Sequence, residues 1–118
     1  MRKAFNREIG RLAEDLAVMA LKEKGYLILE RNFSNRFGEI DIIAKDKDVL
    51  VFIEVKAKTG IDFGLPEEMV NHKKLNKVRH MATIYTQGKS LLCRLDIVAI
   101  VLDSNGKLLR LTHYENVY

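Results

Sequence analysis

Two short segments carry residue types and spacings that could do chemistry: Gly38-Glu39-Ile40-Asp41 and, further along, Glu54-Val55-Lys56. In an extended strand alternate residues share a face, so Glu39 and Asp41 point one way, and Glu54 and Lys56 likewise point together. Glu54 ends an otherwise apolar run, and an acid in that setting needs a partner because burying a lone charge is costly. An ion pair meets that need, Glu54 with Lys58 or Lys56 with Asp41. A hard cation meets it too. Asp41 and Glu54 would supply carboxylate oxygens, and the backbone carbonyl of Val55 and waters would complete the octahedron that magnesium prefers. Such a metal polarises a phosphate oxygen and generates hydroxide from bound water. Lys56 would orient that water or stabilise the developing negative charge. Together these groups suit phosphodiester hydrolysis.

The charge of the chain is consistent with a polyanionic partner. The 118 residues hold 20 Lys+Arg against 16 Asp+Glu, a net +4, with pI about 9.2. The excess is uneven. Residues 69–94 contain Lys73, Lys74, Lys77, Arg79, Lys89 and Arg94, and no Asp or Glu. One basic segment on a slightly acidic body is the electrostatic footprint of nucleic-acid binding, although a solvated helix face has the same composition. With 47% hydrophobic and 31% charged residues, the chain is expected to be a single soluble domain over residues 1–118. Its apolar runs are too short to span a membrane, and acids break the first segment before it could serve as a secretory signal. The single cysteine, Cys93, cannot form an internal disulfide, so a cytoplasmic setting is expected.

Other chemistries find no support. His72, His80 and His113 lack the spacing of zinc ligands and read as surface or helix residues. Cys93 reads as a small buried hydrophobe. No phosphate-binding glycine loop or nucleophile elbow is present. Asp96 reads as structural, paired with Arg94 or Lys56. Tyr26, Arg31, Phe33 and Arg36 lie close in sequence to the acidic strand and could contact phosphate or a base, or belong to the core.

The elements that must position these groups follow from periodicity. Residues 5–24 recur in apolar character at three- and four-residue steps (Phe5, Ile9, Leu12, Ala13, Leu16, Ala17, Ala20), which predicts a helix stopped by Gly25. Residues 26–30 predict a short strand and 31–37 a polar turn. Residues 39–44 and 49–55 predict a hairpin around a charged turn at 45–48, bringing Asp41 and Glu54 onto neighbouring strands. Residues 57–66 read as a loop. Residues 67–86 predict a second helix, with Leu75, Val78, Met81, Ala82 and Tyr85 inward and the lysines outward. Strands at 95–102 and 107–112 follow, around the turn Asp103-Ser104-Asn105-Gly106. The order is α-β-β-β-α-β-β, an α/β domain with a central mixed sheet flanked by helices.

The segments 38–44 and 52–58, GEIDIIA and FIEVKAK, resemble the signature of the UPF0102 (YraN-like) family of small bacterial proteins, which is similar to archaeal Holliday-junction resolvases and other restriction-endonuclease-like nucleases. The resemblance extends to Gly10 and Glu14, to Phe63-Gly64-Leu65-Pro66-Glu67, to Lys73, and to Arg94-Leu95-Asp96-Ile97-Val98. Lys58 departs from a frequent arginine, which would replace a bidentate phosphate contact by a point charge. The resemblance implies a restriction-endonuclease-like fold with its site at one sheet edge. It implies that Asp41 and Glu54 bind magnesium or manganese, that Lys56 is catalytic, and that Glu14 reaches the same site. Glu39 is a further candidate ligand. Arg36, Lys58, Lys73, Lys74, Lys77 and Arg79 are the expected nucleic-acid contacts.

The expected activity is metal-dependent cleavage of DNA ahead of RNA, with branched or structured DNA in view. A twofold dimer would suit two symmetric strands. The alternatives are a nucleic-acid-binding module with a nuclease-like site and little or no turnover, and an interaction protein whose acids and lysine form ion pairs.

Overall fold

The computed structural model describes residues 2–60, 72–89 and 92–117. The elements are α1 (Arg2–Glu23), β1 (Leu27–Asn35), β2 (Gly38–Asp46), β3 (Val49–Thr59), α2 (His72–Tyr85), β4 (Cys93–Leu102) and β5 (Leu108–Tyr114). The five strands form one sheet in the order β1-β2-β3-β4-β5. β3 and β4 are parallel, and the other neighbouring pairs are antiparallel. The parallel pair requires a crossover, and α2 lies in that connection. The element order and α/β class match the sequence expectation.

Each helix covers one face of the sheet. On one side α1 packs Ala13, Ala17, Val18 and Leu21 against Ile42, Ala44, Val51, Ile53, Val98 and Ile100. Two fully buried alanines let the helix sit close to the strands. On the other side Val78 and Met81 of α2 pack against Ile40, Ile43, Phe52 and Leu95, with Leu75, Ala82 and Tyr85 at the margin. The predicted inward stripe of the second helix is the observed one. The helix start predicted from residue 67, with Pro66 and Glu67, lies outside the described residues.

Helix α1 ends as Gly25 predicts. Gly25 has φ +92°, its N–H donates to the Lys22 carbonyl at 2.9 Å, and the Tyr26 N–H donates to the Leu21 carbonyl at 3.0 Å. That is the Schellman arrangement, in which a left-handed residue satisfies the last carbonyls.

The main differences in strand boundaries from the sequence expectation lie in β1, in the β2–β3 turn and at the end of β3. The polar stretch predicted as a turn continues β1 to Asn35, leaving a two-residue turn at Arg36-Phe37. β1 is an edge strand, and a polar edge resists pairing with other chains, so the composition of residues 31–35 hides this continuation. The charged turn shrinks to Lys47-Asp48, with Lys47 at φ +55°. β3 runs on to Thr59, because β4 pairs with it through Lys58↔Val101 and Thr59↔Leu102.

Candidate functional site

The β2–β3 ladder fixes the relation of the two acidic segments. Pairing runs from Asp46↔Val49 through Ala44↔Val51 to Ile42↔Ile53. Continued by one step, the same register sets Asp41 across from Glu54. The ladder stops there, and the Asp41 side chain takes over from the backbone: Val55 N–H donates to Asp41 Oδ2 at 2.7 Å. The packing shows why β2 departs. Ile42 and Ala44 face α1, whereas Ile40 and Ile43 face α2. Strict alternation would send Ile40 and Ile43 to opposite faces, so the strand turns about its axis at Asp41.

On β3, Val55 and Ala57 pack toward α1. Alternation then sends Glu54 and Lys56 to the α2 side with Phe52. Both are largely buried, Glu54 9% and Lys56 8% exposed. In an antiparallel ladder a residue's N–H and C=O point to the same side. The Val55 carbonyl therefore opens, like its N–H, toward Asp41.

Of the remaining candidate acids, Glu14 lies on α1 and Glu39 on β2. Glu14, in the second half of the helix, accepts from Arg31 Nε at 3.1 Å and from Asn32 Nδ2 at 3.0 Å. Arg31 also donates to Asp15 at 2.7 Å. The hydrogen bonds that Arg31 donates to Asp15 and Glu14 hold it firmly charged. Burial, then the Asp41 and Glu14 carboxylates, push the Glu39 carboxyl up from its ordinary value. Glu39 therefore feels Asp41 and Glu14 as like charges, a field that a divalent cation would relieve.

Among the predicted nucleic-acid contacts, Arg36, Lys73, Lys77 and Arg79 are exposed and Lys58 is half-buried. The side chain of Lys74 lies outside the described residues. Tyr26 is buried in the core on the α1 side, Phe33 packs edge-on against Tyr85 with centroids 5.2 Å apart, and Arg31 is taken by acids of α1.

A second cluster was missed by the sequence reading. Asp96, fully buried, accepts from Arg94 Nε at 3.0 Å and Nη2 at 3.2 Å, from the Asn116 N–H at 2.9 Å, and from His113 Nε2 at 2.7 Å. Lys24 Nζ lies 2.7 Å from His113 Nδ1. An ammonium can only donate, which assigns Nδ1 as acceptor and places the ring proton on Nε2, facing Asp96. Arg94 also reaches Asp46 at 3.2 Å, Glu115 at 3.3 Å and the Tyr26 hydroxyl, which donates to Glu115 at 2.7 Å.

Burial alone would push Asp96 up, but the bonds from His113, Arg94 and Asn116 outweigh it and hold the carboxyl below the usual range. Burial and the bond to Glu115 push the Tyr26 hydroxyl up. Ligand atoms of Asp96, His113 and Glu115 lie within 4.8 Å of one another, a spacing a metal could use. Arg94 already supplies the positive charge there, contacting both carboxylates, so the arrangement is an ion-pair network tying β4, β5 and the end of α1.

His113 is thus a half-buried strand residue whose ring is turned to Asp96, and not a surface or helix one. The signal was its two-residue spacing from Leu111, which packs on the α1-side core. Cys93 is exposed at the first position of β4 and not buried as expected. The atoms around it still push its thiol up, away from thiolate chemistry. Asp96 pairs with Arg94, as the sequence suggested.

No helix among the described residues is long and apolar enough to cross a membrane. The profile of the family described as "Uncharacterised protein family UPF0102" matches residues 13–100. A UPF0102 protein of Dictyoglomus turgidum is 42% identical over 116 residues, covering 96% of this chain and 98% of its own. One from Pelotomaculum thermopropionicum is 40% identical over 113 residues, covering 93% and 94%. One from Clostridium botulinum (strain Loch Maree) is 42% identical over 103 residues, covering 84% of each chain. The segments that carry Asp41, Glu54 and Lys56 fall inside the matched region, and the chain belongs to the UPF0102 family.

Proposed function

We propose that the protein is a metal-dependent nuclease that hydrolyses phosphodiester bonds in DNA, favouring branched or otherwise structured DNA. The observation that carries this reading is the 2.7 Å bond from the Val55 N–H to Asp41, which seats a carboxylate on the backbone between Glu54 and Lys56. The donor set fits a hard cation. The Val55 carbonyl opens to the same side as the Asp41 carboxylate, and the like charges of Asp41 and Glu14 on Glu39 favour added positive charge. Asp41, Glu54 and the Val55 carbonyl would hold magnesium or manganese, with Glu39 and Glu14 tuning the field. When bound, the cation polarises a phosphate oxygen and activates water. Lys56, held in a largely buried position, keeps a fixed positive charge where negative charge develops. Arg36, Lys58, Lys73, Lys74, Lys77 and Arg79 grip phosphates. A twofold dimer would address two symmetric strands of a junction.

One observation favours a second reading. Glu14 is engaged by Arg31 and Asn32, so it reaches a cation only by giving up those bonds. That suits a nucleic-acid-binding module with little or no turnover. The test is cleavage of a synthetic four-way DNA junction and of linear duplex in magnesium or manganese, by wild type, Asp41→Asn and Glu54→Gln. Wild-type cleavage lost in both variants, with DNA binding retained, is the expected result. Junction binding without cleavage in either metal would replace the nuclease reading by the binding module. Cleavage by Asp41→Asn at the wild-type rate would overturn the site assignment.

A further inference from the structure

Phe37 stands at the tip of the β1–β2 hairpin, in the turn Arg36-Phe37. The core does not use its ring. Phe33 and Phe52 turn inward to Tyr85, whereas Phe37 is 46% exposed. Three contacts nevertheless fix it. His80 of α2 meets the ring edge-on, with centroids 5.0 Å apart and planes at 88°. The Arg36 guanidinium lies 4.8 Å from the ring centroid. Asn35 Oδ1 accepts the Phe37 N–H at 2.8 Å, which ties the turn itself. Beside it, the Met81 side chain comes within 3.9 Å of the space a Cβ on Gly38 would fill, so the hairpin tip rests directly on α2.

The tip continues a row of basic side chains on α2. Lys73, Lys77 and His80 follow at four- and three-residue steps on α2, so they share one helix stripe, and all three are exposed. His80 touches Phe37, and Arg36 lies over it. Cations therefore lead along the helix to a held, half-exposed aromatic ring. That combination binds single-stranded nucleic acid: cations track the phosphates and the ring stacks on a base. A continuous duplex keeps its bases stacked on one another and offers the ring no face. From Phe37 to Asp41 the chain runs four residues along β2, about 13 Å at the rise of an extended strand.

We infer that Phe37, backed by Arg36 and His80, is a stacking platform for an unpaired nucleobase, so that the chain recognises DNA where paired and unpaired strands meet. The inference rests on the nucleic-acid reading above and names its substrate class, but it requires no catalysis.

The test is therefore made in chelator, where no cleavage occurs. Binding of a single-stranded oligonucleotide carrying 2-aminopurine, and of the matching duplex, is measured by anisotropy and by 2-aminopurine fluorescence for wild type, Phe37→Ala, Phe37→Leu and Phe37→Trp. Wild type should quench 2-aminopurine and bind the single strand more tightly. Phe37→Ala and Phe37→Leu should lose the quenching and weaken single-strand binding at least about fivefold, with duplex binding unchanged, while Phe37→Trp retains both. Leucine keeps apolar bulk, so its loss of quenching separates stacking from a structural role. Equal quenching and affinity in wild type and Phe37→Leu would overturn the inference and leave the nuclease reading untouched. Wild type that binds neither probe would overturn both. Junction cleavage lost in Asp41→Asn, with Phe37-dependent quenching intact, supports the two independently.

Discussion

The carboxylate of Asp41 accepts the N–H of Val55 where the β2–β3 ladder ends, so one side chain both closes the strand pairing and stands between Glu54 and Lys56. The two roles can be separated by substitution.

Asp41→Asn keeps an oxygen acceptor for Val55, whereas Asp41→Ala leaves that N–H unpaired. The alanine variant should lose about 1–3 kcal/mol of stability, the cost of an unsatisfied donor. The asparagine variant should melt close to wild type. Both should lose metal-dependent cleavage by more than about a hundredfold, beyond the loss from altering a group that merely supports a metal site. Thermal melts beside cleavage assays check this, and an asparagine variant that cleaves normally would contradict it.

The role proposed for Lys56 is electrostatic, and a substitution that keeps its bulk tests that role. Lys56→Met fills the same space without a buried ammonium, which removes the cost of burying that charge. Its melting temperature should match or exceed that of wild type, while cleavage falls at least about a hundredfold, as when one stabilising group is removed from a developing charge. Calorimetric magnesium titration should show binding retained. A marked drop in melting temperature would mean that Lys56 is structural.

The Asp96 network should govern acid stability. Its carboxyl is held below the ordinary 3.8 by His113, Arg94 and Asn116, against the effect of burial. The folded state therefore binds fewer protons than the unfolded chain in this window. The stability it contributes is fully present above that ordinary value and is lost as the pH falls below it toward the folded value. Arg94→Met strands a buried carboxylate and should cost about 3–5 kcal/mol at neutral pH. Melting curves from pH 2 to 7 should show a shallower acid slope in that variant than in wild type.

Lys73 and Lys77 should act on phosphates alone. The double alanine variant should weaken duplex binding uniformly across sequences and reduce the slope of log K against log salt by about two, one per lost phosphate contact. An unchanged slope would place the DNA on another face.

Periodicity alone identified both helices, with Ala13 and Ala17 on one apolar stripe and Val78 and Met81 on the other. It also indicated the α-β-β-β-α-β-β order, since 3.6- and 2-residue patterns are local properties. The hairpin around Lys47-Asp48 was equally local, and with it the neighbourhood of Asp41 and Glu54. Three features were not local. The second half of β1, residues 31–35, was hidden because an edge strand needs no apolar face. The change of face along β2 shows only in the packing, with Ile42 on the α1 side and Ile40 and Ile43 on the α2 side. Asp96, His113, Arg94, Tyr26 and Glu115 come from β4, β5 and the end of α1, and only strand pairing brings them together. The same holds for Phe37 and His80: an aromatic turn residue reads as unremarkable until a helix from the crossover is laid beneath it.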